Sequence, residues 1–311
     1  MEKLEIFYIL LKFLILLMEN IFEMTIFQKY NYLLFGNPVN HSKSPIIYNY
    51  FEKYTNFKCN YHTKCVEKKL FLKNVLNFFK IHGKGANITT PFKEEAYKLS
   101  NIVTRRAQIT RSVNVLKKIS NNKILGDNTD GIGLLYDLRR LNFIQSRKKI
   151  LLIGAGGAAK GIIPNLLSLN CSIDIVNRTF SRAYNLATYF KNLGNINAIK
   201  SSDLKVLNYH LVINATSFGI YKKSDFFISN IIFYPERTMF YDLYYENNLT
   251  EFLKWCTNQG AIYYSDGIGM LVSQAAYSFY LWSNLFPNIE LIIKILNKNK
   301  EYFINNLNNI K

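Results

Sequence analysis

The stretch "KKILLIGAGGAAKGIIPNLLSL", Lys148 to Leu169, decides the fold expected for this chain. A short apolar run precedes a glycine-rich turn, and the pattern predicts a helix over Gly157–Leu169. Gly154, Gly156 and Ala159 fit G-x-G-x-x-G/A in the strand-turn-helix context where a helix N-terminus can hold a pyrophosphate on bare backbone N–H groups. The stretch therefore predicts a dinucleotide-binding unit. The alternative is a glycine turn that serves only close packing.

The next apolar run ends in "IVNRTFSRA", where NAD-binding proteins place a carboxylate for the ribose 2′-OH. Here the position holds Asn177, followed by Arg178 and Arg182. Two guanidinium groups suit a 2′-phosphate, because arginine offers a planar fork of donors to phosphate oxygens. The sequence therefore predicts NADP rather than NAD. Ordinary surface charges at both arginines remain the alternative.

Length and composition limit the other classes of function. The 311 residues suffice for about two domains, and the 49% of hydrophobic residues can fill real cores. The net charge of +18 comes from lysines and arginines scattered along the chain without a basic stripe. We therefore expect no nucleic-acid partner. The four cysteines form no CxxC pair, so reduced thiols in a cytoplasmic protein are expected and a metal site is not.

The N-terminus carries the apolar segment Ile6–Met18, which Lys12 interrupts. It lacks a small-residue cleavage site and is too short to span a bilayer comfortably, so no membrane partner is expected. Met24 precedes the first expected strand. The sequence predicts that residues 1–23 are an extension outside the fold. From Tyr32 onward, short apolar runs alternate with helical patterns, which is typical of an α/β protein.

Two segments before the glycine turn carry candidate chemistry. In "GNPVNHSKSP", Ser42 and Ser44 point to the same side of an extended backbone and can both donate to one carboxylate, or can simply cap a helix that begins near Pro45. In "GKGANITTPFKEEAYKL", Thr90 is expected to cap a helix with Lys93 in its first turn. The positive helix end disfavours a charged lysine, so Lys93 can exchange a proton readily, or is an ordinary solvated lysine.

Two later segments add polar candidates. In "LGDNTDGIGLLYDLRRL", Asp130 can cap a helix that starts near Gly131 and remain ionised, and capping alone would also explain Asp127. In "SDGIGMLVSQAAYSFYLW", Gln274 is a polar residue within an apolar helical stripe, so it must find a partner.

These motifs occur in one order from about Tyr32 to Asn297, joined by "SVNVL", "NATSFGI" and "YDLYY", and together they resemble the shikimate dehydrogenase family. The resemblance implies an α/β protein of two domains. The substrate domain, with a mixed but mostly parallel sheet, would comprise residues 24–129 and 267–311. A Rossmann-type NADP-binding domain would comprise residues 130–266. The resemblance also implies reversible NADPH-dependent reduction of 3-dehydroshikimate to shikimate, in the chorismate pathway to aromatic amino acids.

The resemblance also assigns roles to individual residues. Lys93 and Asp130 match the catalytic pair of the family. The substrate ligands would be Ser42, Ser44, Thr89, Asn114, Asp130, Tyr245 and Gln274. The NADP ligands would be Gly154, Ala155, Gly156, Gly157, Ala158, Asn177, Arg178, Thr179, Arg182, Leu243 and Gly267. Arg105 departs from the family, since many relatives carry an acid there near the cofactor.

Three other functions compete with this one. An NAD-dependent quinate/shikimate dehydrogenase conflicts with Arg178 and Arg182, and with the missing ribose acid. A non-catalytic NADP-binding module would not need Lys93 and Asp130. A polyanion-binding protein has only the net charge in its favour. The oligomeric state, with a homodimer as one possibility, stays open.

Overall fold

The computed structural model describes residues 31–298 except 121–122, 205, 217 and 219–231, and also residues 8, 9, 11, 12 and 14. Apart from those last five residues, the predicted extension over residues 1–23 lies outside the described residues. The same holds for residues 299–311, which the sequence assigns to the substrate domain.

Residues 32–127 form a six-stranded mixed sheet in the order β2-β1-β3-β5-β6-β4. Its strands are β1 (Tyr32–Gly36), β2 (Tyr61–Cys65), β3 (Gly85–Ile88), β4 (Ile102–Val103), β5 (Val115–Ser120) and β6 (Lys123–Asp127). The helices that connect and follow them are α1 (Ser44–Thr55), α2 (Phe71–Ile81), α3 (Lys93–Leu99), α4 (Arg105–Thr110) and α5 (Asp130–Arg140). β1 pairs in parallel with β2 and β3, whereas β5 runs antiparallel to both of its neighbours.

Residues 149–265 form a second six-stranded sheet, entirely parallel, in the order β14-β13-β11-β7-β8-β9. Its strands are β7 (Lys149–Ile153), β8 (Ser172–Val176), β9 (Ile196–Ile199), β11 (Leu211–Asn214), β13 (Met239–Asp242) and β14 (Tyr263–Ser265). A small parallel pair consists of β10 (Val206–Leu207) and β12 (Ile232–Phe233). The helices of this half are α6 (Gly157–Leu167), α7 (Phe180–Phe190) and α8 (Glu251–Asn258).

The apolar run of β7 shows why this half is α/β. Ile150 and Leu152 pack into the core on one face of the sheet, whereas Leu151 and Ile153 pack into the core on the other. A parallel strand covered on both faces needs apolar side chains at every position, and the run "ILLI" supplies them. The predicted α/β class and its Rossmann-type half are confirmed.

Two helices, α5 between β6 and β7 and the helix that follows β14, connect the halves and are called the hinge helices below. α9 (Ile268–Ser283) packs along α5 and also against α1 and β5, and α10 (Ile289–Asn297) packs on α9. At the crossing of α9 and α5, a Cβ on Gly133 would lie 2.7 Å from the backbone nitrogen of Gln274. Only glycine permits this approach, which brings Gln274 beside the first turn of α5. The predicted division at residues 130 and 267 stays a prediction.

Two helix ends differ from the sequence expectation. α3 begins at Lys93 rather than at Pro91, because a turn closed by the Phe92 N–H on the Thr89 carbonyl precedes it. Thr90 is therefore not its N-cap. α6 begins at Gly157 as predicted and contains Pro164, but it ends at Leu167 rather than Leu169.

None of the helices within the described residues combines the length and apolar composition that a membrane crossing requires. The four cysteines are free thiols. Cys59, Cys171 and Cys256 are buried, and Cys65 is exposed.

Candidate active site

A cavity of about 270 Å³ lies between the two sheets, and both halves line it. The substrate half and the hinge helices contribute Ser42, Ser44, Asn87, Thr89, Lys93, Asn114, Asp130 and Gln274. The cofactor half contributes Ala158, Leu243 and Tyr245, among others, and Gly267 lies just before α9. The structure thus brings every predicted substrate and catalytic residue to one cavity, next to three of the predicted cofactor residues.

Lys93 and Asp130 form an ion pair at the centre of the cavity. The Lys93 Nζ lies 2.6 Å from the Asp130 Oδ2, and the two side chains are only 16% and 7% exposed. Lys93 opens α3, and Asp130 is the first residue of α5 rather than the residue before it. Both groups therefore lie in the first turn of a helix.

A network of side-chain amides holds this pair. Asn114 donates from Nδ2 to the Asp130 Oδ1 at 2.7 Å, and its Oδ1 accepts from the Thr129 N–H at 2.8 Å. Gln274, as expected for a polar residue in an apolar stripe, finds partners. It donates to the Leu271 carbonyl, and its Oε1 is 3.3 Å from the Asn114 Nδ2. The carboxylate of Asp130 is therefore fixed from two sides.

Asn87 is a residue of the cavity that the sequence analysis missed. Its Oδ1 accepts hydrogen bonds from the Tyr48 and Tyr61 hydroxyls, each at 2.8 Å, and its Nδ2 donates to the Asn114 carbonyl and to Ser278. The available signal was a polar residue inside the apolar strand β3, comparable to Gln274 inside its helix.

The serine loop places two hydroxyls at one end of the cavity. The Ser42 Oγ lies 3.1 Å from the Ser44 Oγ and accepts the Ser44 N–H at 3.2 Å. Ser44 is the first residue of α1, and Lys43 at the N-cap makes no side-chain cap. Ser42 thus satisfies one backbone donor of the helix, as the capping alternative supposes, and the hydroxyl pair still lines the cavity.

Contacts between the halves join the serine loop to the residues that follow β13. The Tyr245 hydroxyl accepts the Lys43 N–H at 3.4 Å, and the Lys43 Nζ donates to the Asn247 Oδ1 at 3.0 Å. Burial raises the pKa of Tyr245, while its bonds to Lys43 and Ser42 oppose the rise. Near the glycine turn, Lys160 on α6 pairs with Glu94 on α3 at 2.6 Å.

The glycine turn has the geometry expected of a phosphate cradle. Gly154 has φ +107°, and a Cβ there would lie 2.9 Å from the Ala215 carbonyl oxygen, so both the conformation and the space require glycine. A Cβ on Gly156 or Gly157 would meet nothing within 4 Å. The N-terminus of α6 therefore faces open space with bare backbone, into which a pyrophosphate fits.

Asn177 is tied to the glycine turn rather than free at the end of β8. Its Oδ1 accepts the Ala155 N–H at 3.2 Å, and its Nδ2 donates to the Thr179 carbonyl at 2.9 Å. Arg178, Thr179 and Arg182 are exposed at the same sheet edge. This edge presents two guanidinium groups, which fits a 2′-phosphate.

Asp127 and Arg105 lie outside the cavity. Asp127 is buried and forms an ion pair with Arg106 at 2.5 Å, so it does not cap α5 as the sequence allowed. Arg105 is exposed and lines a separate groove with Tyr277 and Phe286, behind the hinge helices. The residue that departs from the family pattern therefore does not enter the central cavity.

Two α/β units, a glycine turn open at a helix N-terminus and a lysine–aspartate pair between the units define the class of two-domain, dinucleotide-dependent dehydrogenases. Three family profiles match the chain in order. They are the shikimate dehydrogenase substrate binding domain over residues 34–116, shikimate/quinate 5-dehydrogenase over 138–224, and the shikimate 5′-dehydrogenase C-terminal domain over 267–296. The chain belongs to the shikimate dehydrogenase family.

Individual relatives agree with this assignment. A shikimate dehydrogenase (NADP(+)) of Buchnera aphidicola subsp. Baizongia pistaciae is 50% identical over 271 residues, covering 86% of this chain and 95% of the relative. The crystal structure of shikimate dehydrogenase from Aquifex aeolicus is 29% identical with a TM-score of 0.77, and the match covers 85% and 96% of the two chains. That of the Thermus thermophilus enzyme, in complex with NADP(H) and shikimate, is 26% identical with a TM-score of 0.74, covering 86% and 98%.

Proposed function

We propose that this chain catalyses the reversible, NADPH-dependent reduction of 3-dehydroshikimate to shikimate. The observation that carries the proposal is the buried pair of Lys93 and Asp130, which lines one cavity with the serine hydroxyls and the end of the glycine-turn helix. A proton-transfer pair, a carboxylate site and a dinucleotide cradle are the three parts that this reaction needs. The names of the curated relatives and the Thermus thermophilus complex support the same reaction.

Ser42 and Ser44 hold the substrate carboxylate in this proposal. Their hydroxyls lie 3.1 Å apart, a spacing that lets both donate to one carboxylate group. Tyr245, from the other half, lies against the same loop and completes that end of the cavity. Asn87, Thr89, Asn114 and Gln274 line the same cavity, and in this proposal their side chains contact the ring hydroxyls. An acid of this shape is therefore held at both ends, with its reacting carbon toward Lys93.

Lys93 moves the proton of the reacting oxygen. In the oxidation direction, the C3 hydroxyl of shikimate gives its proton to the neutral Lys93 Nζ as the C3 hydride leaves. In reduction, the ammonium of Lys93 returns that proton to the developing alkoxide. Asp130 accepts a hydrogen bond from Lys93 at 2.6 Å, which orients the amine and stabilises its protonated form. Asn114 keeps Asp130 in place by bonding its other oxygen.

NADP, when bound, supplies or accepts the hydride at its nicotinamide ring. The open backbone at Gly156 and Gly157 would hold the pyrophosphate, and Arg178 and Arg182 would hold the 2′-phosphate. Leu243 and Gly267, which line the central cavity, would lie beside the nicotinamide. Lys160 and Glu94 bridge the halves close to this helix end.

We also propose that the enzyme acts in the cytoplasm, in the pathway to chorismate and the aromatic amino acids. The free thiols of its cysteines fit a reducing compartment. A homodimer is the oligomeric state that we propose to test, by sedimentation equilibrium of the purified chain. A single species with the mass of one chain would exclude it.

An assay for shikimate-dependent NADPH formation tests the proposed reaction. We expect an increase in absorbance at 340 nm with shikimate and NADP⁺. Turnover should be much slower when NAD⁺ replaces NADP⁺ or when quinate replaces shikimate. Equal rates with both nucleotides would assign the chain to the NAD-using alternative. NADP⁺ binding without turnover of shikimate or quinate would point to a non-catalytic module.

A further inference from the structure

Two buried polar side chains lie at adjacent strand ends below the cavity, and the proposed chemistry uses neither. Asp242 ends β13 and Asn214 ends the neighbouring strand β11, and both are 0% exposed. The carboxyl ends of parallel strands are where α/β proteins place the loops that bind ligands. A carboxylate buried at this edge must be satisfied by the protein, so its partners indicate its purpose.

The partners of Asp242 fix the turn that follows it. Its Oδ1 accepts hydrogen bonds from the Asn214 Nδ2 at 2.9 Å and from the Tyr244 N–H at 3.1 Å. Its Oδ2 accepts the Thr250 hydroxyl at 2.6 Å. One oxygen therefore holds the backbone two residues ahead, which shapes the turn over Leu243 and Tyr244.

That turn includes Leu243, which is proposed to contact the cofactor, and leads into Tyr245, which is proposed to contact the substrate. The Leu243 N–H donates to the Asn214 carbonyl at 2.9 Å, and the Tyr244 carbonyl accepts the Gly267 N–H at 3.0 Å. Leu243 and Tyr245 both line the central cavity. The Tyr245 hydroxyl in turn accepts the N–H of Lys43, which stands between the two serines. A chain of direct contacts thus leads from Asp242 to the loop proposed to bind the substrate carboxylate.

Asn214 extends the same support to the cofactor side. Its Oδ1 accepts hydrogen bonds from the Thr216 N–H at 3.1 Å and from the Thr216 hydroxyl at 2.7 Å. Between them, the carbonyl of Ala215 packs against Gly154 of the glycine turn. Asn214 and Asp242 therefore fix the relative positions of the loops that follow β11 and β13.

We infer that Asp242 is a positioning residue of the reaction, which holds the turn at residues 243–245 so that Tyr245 meets the serine loop across the cleft. The inference rests on the proposed function, since it concerns binding of shikimate. Asp242 does not touch the substrate in this role. It acts through Tyr245, and its loss should weaken shikimate binding more than it slows the chemical step.

The test compares two buried aspartates of the same sheet. Asp174 on β8 is also buried and accepts the Tyr209 hydroxyl at 2.6 Å, but it does not line the cavity. We would measure kcat, KM for shikimate and Tm for Asp242→Ala and the control Asp174→Ala. We expect both to lower Tm. Only Asp242→Ala should raise the KM for shikimate, by about tenfold, the size of one or two lost hydrogen bonds, with a smaller change in kcat.

Rescue and coupling distinguish positioning from stability alone. Asp242→Asn retains an oxygen for the Tyr244 N–H, and its amide can donate to the Thr250 hydroxyl, so it should restore KM to within about twofold of the native value. In a Tyr245→Phe background, Asp242→Ala should raise KM far less than in the native chain, because the contact it supports is already gone. Asp242→Ser replaces Asp242→Ala if the alanine variant does not fold.

The outcomes are separable. Without turnover of shikimate by the native chain, the proposed function fails, and this inference fails with it. If the native chain is active but Asp242→Ala or Asp242→Ser lowers only Tm, with KM unchanged, the inference alone is wrong. An equal KM effect with and without the Tyr245 hydroxyl would also overturn it.

Discussion

The charged side chains at one end of the proposed site are largely buried and bonded to one another, whereas those at the other end are exposed. At the substrate end, Lys93, Asp130 and Asn114 are largely buried and bonded to one another at 2.6–2.7 Å. At the far end of the cofactor half, Arg178 and Arg182 are exposed at a sheet edge. The first set has its geometry before any ligand arrives. The second set is exposed to solvent, and in the proposal its partner is the 2′-phosphate of NADP.

This difference predicts different kinetic consequences. A buried, mutually bonded group contributes to the reaction through fixed geometry and low local dielectric, so its removal should affect kcat. An exposed guanidinium contributes through charge and hydrogen bonds to a ligand, so its removal should affect KM and the dependence on salt. The variants below test that division, in order of decreasing effect.

Lys93→Met should produce the largest loss. It keeps the bulk of the side chain and removes the ammonium, so binding and chemistry can be measured separately. Loss of general acid–base help costs about 10²–10⁴ in rate, and we expect kcat to fall at least about a hundredfold. KM for NADP should stay near the native value, and KM for shikimate should change only about several-fold, as for one hydrogen bond. Steady-state kinetics with both substrates measure these effects.

Lys98→Met is the matched control, since Lys98 lies on the same helix but is exposed. It should leave kcat unchanged. Asp130→Asn should also lower kcat, and its combination with Lys93→Met should be far from multiplicative, because the two residues act as a unit. If Lys93→Met retains most of kcat and only weakens shikimate binding, Lys93 is a substrate ligand and the proton passes elsewhere.

Removal of the exposed arginines should give the next largest effect. Charge-assisted hydrogen bonds are worth about 10- to 150-fold each, so Arg178→Ala with Arg182→Ala should raise KM for NADP and narrow the preference over NAD. We expect kcat at saturating NADP to change little. The native KM for NADP should also increase with ionic strength, and this dependence should weaken in the double variant.

Arg237→Ala is the control for that experiment. Arg237 is exposed in the same half of the molecule, but it precedes β13 and lies at the opposite edge of the sheet. It should leave the nucleotide preference intact. Equal use of NADP and NAD by the native chain would contradict the assignment of Arg178 and Arg182.

The sequence predicted those parts of the fold and site that local rules determine. The glycine turn, the start of α6 at Gly157 and the apolar strand β7 follow from backbone conformation and burial on both faces. Contacts between residues that are far apart in the sequence could not be predicted in this way. Asp127 looked like a helix cap but pairs with Arg106, because α4 folds over it. Asn87 is polar inside a strand, and its four partners come from other elements.

A smaller effect concerns the pH dependence of stability at Asp242. Burial raises the pKa of this carboxyl to about 7, and Asp266 adds to the rise, although three hydrogen-bond donors oppose it. The groups that face it are the donors Asn214, Thr250 and the Tyr244 N–H, and the titratable side chains Asp266, Cys256 and Tyr244. Because the pKa is higher in the folded than in the unfolded chain, folding is weakened as the pH rises from about 4 toward 7.

Asp242→Asn removes that titration. The Tm of Asp242→Asn minus the Tm of the native chain should therefore increase from pH 5 to pH 8. Thermal melts at several pH values measure this difference. Asp174→Asn serves as the control for losing a buried carboxylate of the same sheet. A Tm difference that stays constant over this range would show that Asp242 is ionised throughout.

The smallest effect is expected from removal of residues 1–23, which the sequence predicts to be an extension outside the fold. Their apolar segment is interrupted by Lys12, lacks a cleavage site and is too short to cross a bilayer comfortably, and Met24 follows before the first strand at Tyr32. A chain that begins at Met24 should keep kcat, both KM values and Tm close to those of the full chain. The full chain purified under the same conditions is the control. An inactive or insoluble shortened chain would show that this segment packs on the core. The function would then depend on this segment as well as on the two ends of the site.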